Sequence, residues 1–490
     1  MKKTTRLAIF ALALCAAIPS FAQQRKANQD CISSNTDIPA MQANANLSNT
    51  PEVKATVNPN DEKPNSAKPE QKVKASVYGF VRNYFNYDSR QTYYVCGGEY
   101  NMMPLDEDWN MTPAEAEATG LERYDLNDVP QFHLLSLTTR IGLNLSGPGI
   151  WGAHSSSGKI EGDFAGFSTT NTVFRVRQAW AKLNWEKSEL LVGQTWHPLS
   201  GDIMPEVLGM AAGAPFRCHS RTPQVRYIFT SGKLGFTAAA ISQLQYMNNG
   251  PSWDKDNSKW TSTNSTSFAY NAVLPELFLG LNYKDDKIYA QLGADYQMLR
   301  PRTWGFQNVA GTDYKVSVNE TVQSITPTVY FQYTDGLFAL KFRSLLAQNT
   351  SYLNQLVGYA VTGENPDGSW NYKPMEATIS YLNLAYGKKI RADLFFGYMQ
   401  NLGCSEDILN SSAANIFMKG GSKYTNIQNM WRVCPGISYN TKAFNIGLEY
   451  ELTGVGYGEK TKMQSNGTFK SEDVHNVLGS RICALVKYNF

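Results

Sequence analysis

Beyond its N-terminal segment the 490-residue chain has no run of 18 or more consecutive apolar residues, which excludes a membrane-spanning helix there. Histidine is scarce. The five residues, at 133, 154, 197, 219 and 475, have neither the spacing of a metal centre nor a GxSxG-type nucleophile beside them, so no catalytic set, metal or cofactor is expected. The seven cysteines contain no C-x-x-C pair. Cys15 falls in the apolar N-terminal run, Cys31 in a polar tail, and Cys96, Cys218 and Cys404 in expected surface loops. Cys434 and Cys483 share an inward phase on strands with another strand between them, a separation that strains disulfide geometry, so free thiols or one loop disulfide are expected. An excess of one charge is missing too. Lys2, Lys3 and Arg6 lie in a removable leader, and without them 42 basic residues face 42 acidic ones. A neutral chain gives no basis for binding nucleic acid or an anionic membrane surface.

What is present begins with that leader. Three basic residues, an apolar stretch from Leu7 to Ile18 and Ser20-Phe21-Ala22 form a secretory signal, with cleavage expected after Ala22. Cys15 follows Leu14, where a lipoprotein site carries a small residue, so a lipid anchor is not expected. Residues 23–72 are rich in Asn, Gln, Pro, Lys and Ser, with almost no large apolar side chains and no heptads. They read as a disordered periplasmic leader or linker.

From about residue 73 to 490 the pattern changes to short alternating segments. Ile288, Ala290, Leu292, Ala294, Tyr296 and Met298 oppose Tyr289, Gln291, Gly293, Asp295 and Gln297. Leu135, Leu137, Thr139, Ile141, Leu143 and Leu145 likewise take one face against Ser136, Thr138, Arg140, Gly142 and Asn144. Such a chain is polar on average and still presents a continuous apolar band, as an outer-membrane barrel requires. Placing strands by alternation gives about sixteen, starting near 74, 132, 157, 172, 189, 222, 232, 274, 287, 321, 337, 374, 389, 427, 443 and 476. Tight turns such as Glu186-Lys187-Ser188 and Thr334-Asp335-Gly336 alternate with long loops. Sorting of connections by parity is the plan of an all-β transmembrane antiparallel barrel. The first strand, Ser76 to Tyr87, carries aromatics in both phases and cannot be oriented from sequence. At the end, Ile482, Ala484, Val486, Tyr488 and Phe490 fall in one phase and close on an aromatic residue, like an outer-membrane insertion signal.

The other phase describes a pore lining. Arg140, Lys159, Arg175, Arg177, Arg226, Lys341, Arg343, Arg391 and Arg432 outnumber Glu161, Asp163, Asp295, Asp393, Glu449 and Glu451. Two arginines two residues apart share a side of a strand, and lipid exposure of a basic residue costs about 2–4 kcal/mol at the midplane, so Arg175 and Arg177 face inward. A basic excess favours anions. The competing reading is that single arginines merely pair with carboxylates in the wall.

Four stretches, Lys159 to Phe164, Arg175 to Trp180, Val192 to Trp196 and Arg221 to Tyr227, resemble the dicarboxylate-porin-like (DcaP-like) family, mainly across residues 130–230. The resemblance implies a sixteen-stranded homotrimeric porin whose third long loop, about His197 to Ser220, folds inward. Asp202, Glu206, Arg217 and Arg221 would then line the constriction. The expected function is passive diffusion of small polar or anionic solutes across the outer membrane, with membrane lipids as the surroundings. The alternatives are a channel selective for small organic anions and a non-conducting surface barrel. A plugged transporter would need about 22 strands and a folded plug, which the fifty-residue tail does not supply. Asp106-Glu107-Asp108 with Glu115, Glu117 and Glu122 lacks the glycine turn of a calcium loop and reads as a solvated outer loop.

Overall fold

The computed structural model describes residues 73–95, 98–167, 172–200, 204–209, 213–410 and 426–490. The expectations for the signal and the polar tail, and those for Cys15, Cys31, Cys96 and Asp202, lie outside the described residues.

Alternation becomes a closed barrel of sixteen antiparallel strands. The first eight are β1 (Lys74–Asp88), β2 (Gln131–Leu135 continuing as Arg140–Pro148), β3 (Ser155–Phe167), β4 (Thr172–Asn184), β5 (Ser188–Trp196), β6 (Arg221–Ser231), β7 (Leu234–Ile241) and β8 (Glu276–Lys284). The rest are β9 (Ile288–Leu299), β10 (Val322–Asp335), β11 (Phe338–Gln348), β12 (Trp370–Gly387), β13 (Ile390–Cys404), β14 (Ile427–Asn440), β15 (Phe444–Gly458) and β16 (Val474–Asn489). Each expected strand has a counterpart whose start differs by at most four residues. Each strand pairs with its sequence neighbours, and β1 pairs with β16 from Phe80↔Asn489 to Asp88↔Arg481, so no edge remains.

The barrel stands because each strand hides one face in its interior and offers the other to lipid. Leu279, Leu281, Leu292, Ile325, Ile437 and Leu448 are each more than half exposed, whereas Gln291, Asp295, Thr326 and Glu449 are buried on the opposite phase. Contiguous exposed apolar rows of this kind are intolerable in water and ordinary in a bilayer. Tight turns sit on one side: Gly232 at φ 61° and Gly336 at φ 57° take the left-handed conformation that a two-residue hairpin connection needs. Seven short turns close that side and the long loops the other. The β3–β4 connection breaks the length rule with only residues 168–171, which are outside the described residues.

The structure resolves β1. Phe80, Tyr84, Asn86 and Asp88 are buried and Val77, Val81, Phe85 and Tyr87 exposed, so the Tyr78–Phe80–Arg82 phase faces inward. It also corrects β2. Tyr84 pairs with Leu135 and Phe80 with Arg140, so five residues of β2 span four of β1. The extra residue is a bulge that flips the phase, and Leu135 packs inward beside Tyr84, Cys483 and Leu485 instead of sharing the outward row of Ile141. Two cysteine placements change as well: Cys404 ends β13, and Cys218 is buried inside the barrel rather than on a surface loop. Cys218, Cys404, Cys434 and Cys483 are free thiols.

The loop side of the lumen is filled. The first long loop carries a hairpin (Thr92–Val95 with Tyr100–Pro104), and the loop between β11 and β12 carries a short turn at Ser351–Leu353. Both meet the β5–β6 loop in one apolar cluster that includes Tyr100, Met102, Leu199, Phe216, Tyr352, Leu356 and Phe395. These loops bury side chains as a soluble domain does, but inside the barrel.

Candidate functional site

The inward charges of β2, β3 and β4 form one network. Arg175 grips Asp163 with two bonds, Nε to Oδ1 at 2.7 Å and Nη2 to Oδ2 at 3.1 Å, and reaches Glu99 of the first loop at 3.4 Å. Arg177, wholly buried, bonds Glu161 at 3.1 Å and also Asp163. Arg140 lies 3.4 Å from Glu161, which accepts Tyr78 Oη at 2.6 Å. Pairing in the wall therefore describes Arg140, Arg175 and Arg177, and the structure places Arg175 and Arg177 beneath packed loops instead of on an open lining.

The β5–β6 loop crosses to the far wall. Its Glu206 amide donates to Asn383 Oδ1 at 2.6 Å, and its carboxylate pairs with Lys341 at 3.2 Å and with Arg391. Leu208 and Gly209 amides donate to Glu449 at 2.9 and 3.3 Å. Ala214 O accepts from Arg432, which also donates to Asn101 O and Met102 O of the first loop and pairs with Glu451 at 3.5 Å. Arg343 lies 3.2 Å from Cys218 Sγ, and Arg217 donates to Met204 Sδ at 3.1 Å. Burial, together with Arg217, Arg221 and Arg177, pushes the His219 imidazole well below its ordinary value, which leaves a neutral ring against the Tyr100 hydroxyl. Burial likewise raises the Cys218 thiol.

Arg221, assigned to the loop from sequence, is the first residue of β6 and pairs with Trp196 of β5. Its guanidinium is fully buried, lies 4.7 Å from the Trp196 ring and, among the described residues, has no hydrogen-bonded nitrogen. Arg226 bonds Gln224 at 2.9 Å and Trp196 O at 2.5 Å. Lys159 stands 4.9 Å from the Tyr78 ring.

Sequence reasoning missed a group on the turn side of these loops. Three cations surround one inward ring: Arg82 at 4.5 Å, Arg140 at 4.9 Å and Lys487 at 4.4 Å from the centroid of Phe80. Arg82 and Lys487 are directly opposite in the β1–β16 register, a like-charge pair that costs stability. Neither has a carboxylate at ion-pair distance among the described residues, and both keep partial exposure. Lys487 was legible, since it alternates with Val486, Tyr488 and the outward terminal row. Arg82 was hidden by the unoriented first strand.

No protein-family model and no curated sequence matches the chain. Among solved structures, the outer membrane channel DcaP of Acinetobacter baumannii superposes at TM-score 0.54 and 17% identity, over 85% of this chain and 97% of that one. The chain has the fold of DcaP. The resemblance read from residues 130–230 thus extends, in fold, over the whole DcaP-type barrel. An anion-selective porin from Comamonas acidovorans aligns at TM-score 0.47 and 11% identity, over 86% of this chain and 100% of that one. OmpF of Salmonella typhi aligns at 0.45 and 10%, over 85% and 97%.

Proposed function

We propose that the protein is an outer-membrane porin through which small polar and anionic solutes diffuse passively, delivered by a signal cleaved after Ala22 and assembled as a homotrimer. The reading gives it no chemistry on its solutes. The barrel with an apolar exterior supports the pore, and the Phe80 cluster supports its preference. Three cations about one ring, of which among the described residues only Arg140 is paired to a carboxylate, make a local excess of positive charge. Lys159, beside the Tyr78 ring that shares the inward phase of Phe80, adds to it. At physiological salt the Debye length is about 8 Å, comparable with a porin constriction, so such charge acts on every ion that passes. Guanidinium also binds carboxylate or phosphate in bidentate fashion. The cross-strand repulsion of Arg82 and Lys487 is relieved whenever an anion sits between them.

The test is the reversal potential of the refolded chain in planar bilayers under a salt gradient, for the intact protein and for Arg82→Gln with Lys487→Gln. Anion preference in the intact pore that falls in the double variant supports the reading. Cation preference in the intact pore, or no change in the variant, refutes it. The depth at which Arg177, Arg221 and Arg432 are buried favours a narrow, selective lumen over a general one. Absence of any conductance would leave a structural barrel.

A further inference from the structure

We propose that His197, Glu276 and Asp295 form a binding site for a divalent transition cation that fastens the root of the β5–β6 loop to the barrel wall. His197 begins the loop, Glu276 begins β8 and Asp295 lies on β9, and their ligand atoms all fall within 4.8 Å of one another. His197 Nε2 is 2.5 Å from Glu276 Oε1 and 3.8 Å from Asp295 Oδ1. All three are buried, and among the described residues Asp295 Oδ1 has no hydrogen-bond donor within reach.

The charge count points to a missing cation. Glu161 and Asp163, equally buried, are each held by arginine. Among the described residues Glu276 and Asp295 have no lysine or arginine at ion-pair distance; they hydrogen-bond each other, and their further partners are His197, the Tyr352 hydroxyl, at 2.5 and 3.3 Å, and the Gln297 amide, at 3.4 Å from Glu276. Two adjacent carboxylates without a counter-charge are among the costliest arrangements an interior can hold. One imidazole and two carboxylates are the donor set that zinc and its neighbours take, with ligand atoms about 2.0–2.2 Å from the ion and hence about 3.4 Å apart in a tetrahedral site. The His197–Asp295 spacing is already close to that, and the His197–Glu276 contact opens by about 1 Å on loading.

Loading has a consequence for the loop. The Leu199 amide donates to His197 Nδ1 at 3.1 Å, so the imidazole hydrogen lies on Nε2, facing Glu276. A cation at Nε2 requires that hydrogen on Nδ1, and the Leu199 amide then turns away. The ion therefore exchanges one bond inside the loop for bonds to two strands. Tyr352, from the β11–β12 loop, donates to both carboxylates and brings a second loop under the same control.

The test uses the full chain purified in detergent, stripped with chelator and titrated with Zn(II), with Co(II) as a spectroscopic stand-in. One equivalent bound per chain, and a Co(II) spectrum of nitrogen and oxygen ligands displaced by Zn(II), is expected. Asp295→Asn, nearly isosteric, should weaken binding at least tenfold while heat-modifiable migration shows a folded barrel. His475→Gln, which alters the exposed His475–Asp106 pair, should leave it unchanged. No stoichiometric uptake by the unaltered chain overturns the proposal, as does uptake that Asp295→Asn leaves intact or that His475→Gln abolishes. The unaltered chain decides even if Asp295→Asn does not fold.

Discussion

Replacing Arg432 with methionine should undock two loops without opening the barrel. Arg432 has no exposed surface, and its guanidinium donates to Asn101 O at 3.2 Å, Met102 O at 3.1 Å and Ala214 O, while Nε bonds Thr453 Oγ1 at 2.8 Å. Three of these acceptors are carbonyls on the first loop and the β5–β6 loop. A hydrogen bond from a charged donor is worth about 1.5–3 kcal/mol net, so the three together hold the loops by about 4–5 kcal/mol at the lower end. Methionine fills much of the volume, which keeps the cavity cost small. About 4 kcal/mol is roughly a thousandfold change in the fraction of time the loops are free of the wall. The ladder between β13, β14 and β15 is untouched, so heat-modifiable migration should be unchanged while single-channel conductance and open-channel noise both rise. Adding Glu451→Gln separates loss of the tether from exposure of a bare carboxylate. Unchanged conductance and noise in a folded variant would show that these carbonyls do not hold the loops.

Two further outcomes follow from the loops and the terminus. Asp125, in the first loop, is held below its ordinary value of 3.8 because, against partial burial, it accepts the Asp108 and Asn127 amides and pairs with Arg90 at 2.8 Å. A depressed carboxylate stabilises above 3.8 and loses that contribution as pH falls through its lower folded value, so a spin label at exposed Glu117 should gain mobility only below about pH 4. Asp125→Asn should reproduce that mobility at neutral pH, and a flat response to acid in the unaltered chain would refute the assignment. Phe490 exchanges both backbone hydrogen bonds with Gly79, at 3.0 and 3.1 Å, and its ring fills the space where a side chain at 79 would stand. Deleting Phe490 should lower the amount of assembled barrel, measured by surface labelling, whereas unchanged levels would show that the closure does not depend on it.

Strand positions were legible because lipid imposes period two on every stave, and a one-residue slip would carry charges into hydrocarbon. Where the chain departs from that period, legibility ends. Nothing in Ser136 to Thr139 announces the bulge that turns Leu135 inward, and aromatics in both phases of β1 concealed Arg82. The inward phases of Arg140, Arg175, Arg177, Lys341, Arg343 and Arg432 could be read locally, but their surroundings could not. Whether an arginine meets solute or a loop carbonyl depends on contacts such as Arg432 with Asn101, more than three hundred positions apart. Separation along the chain also kept His197 from being read with Glu276, 79 positions away, and with Asp295 beyond it. Arg221 was placed with the loop because the strand was expected to begin near residue 222, yet the strand starts at Arg221 opposite Trp196 and accommodates Pro223 opposite Gln194.

The pairing of β1 with β16 also sets a condition in time. Its register joins residues about four hundred positions apart, and the first strand has its last partner only when the end of the chain has been made. A chain stopped early is therefore not a smaller pore but a curved sheet with two bare edges, ready to pair with any other strand it meets. Chains of this kind depend on being kept apart until complete, and the sixteen staves succeed or fail together.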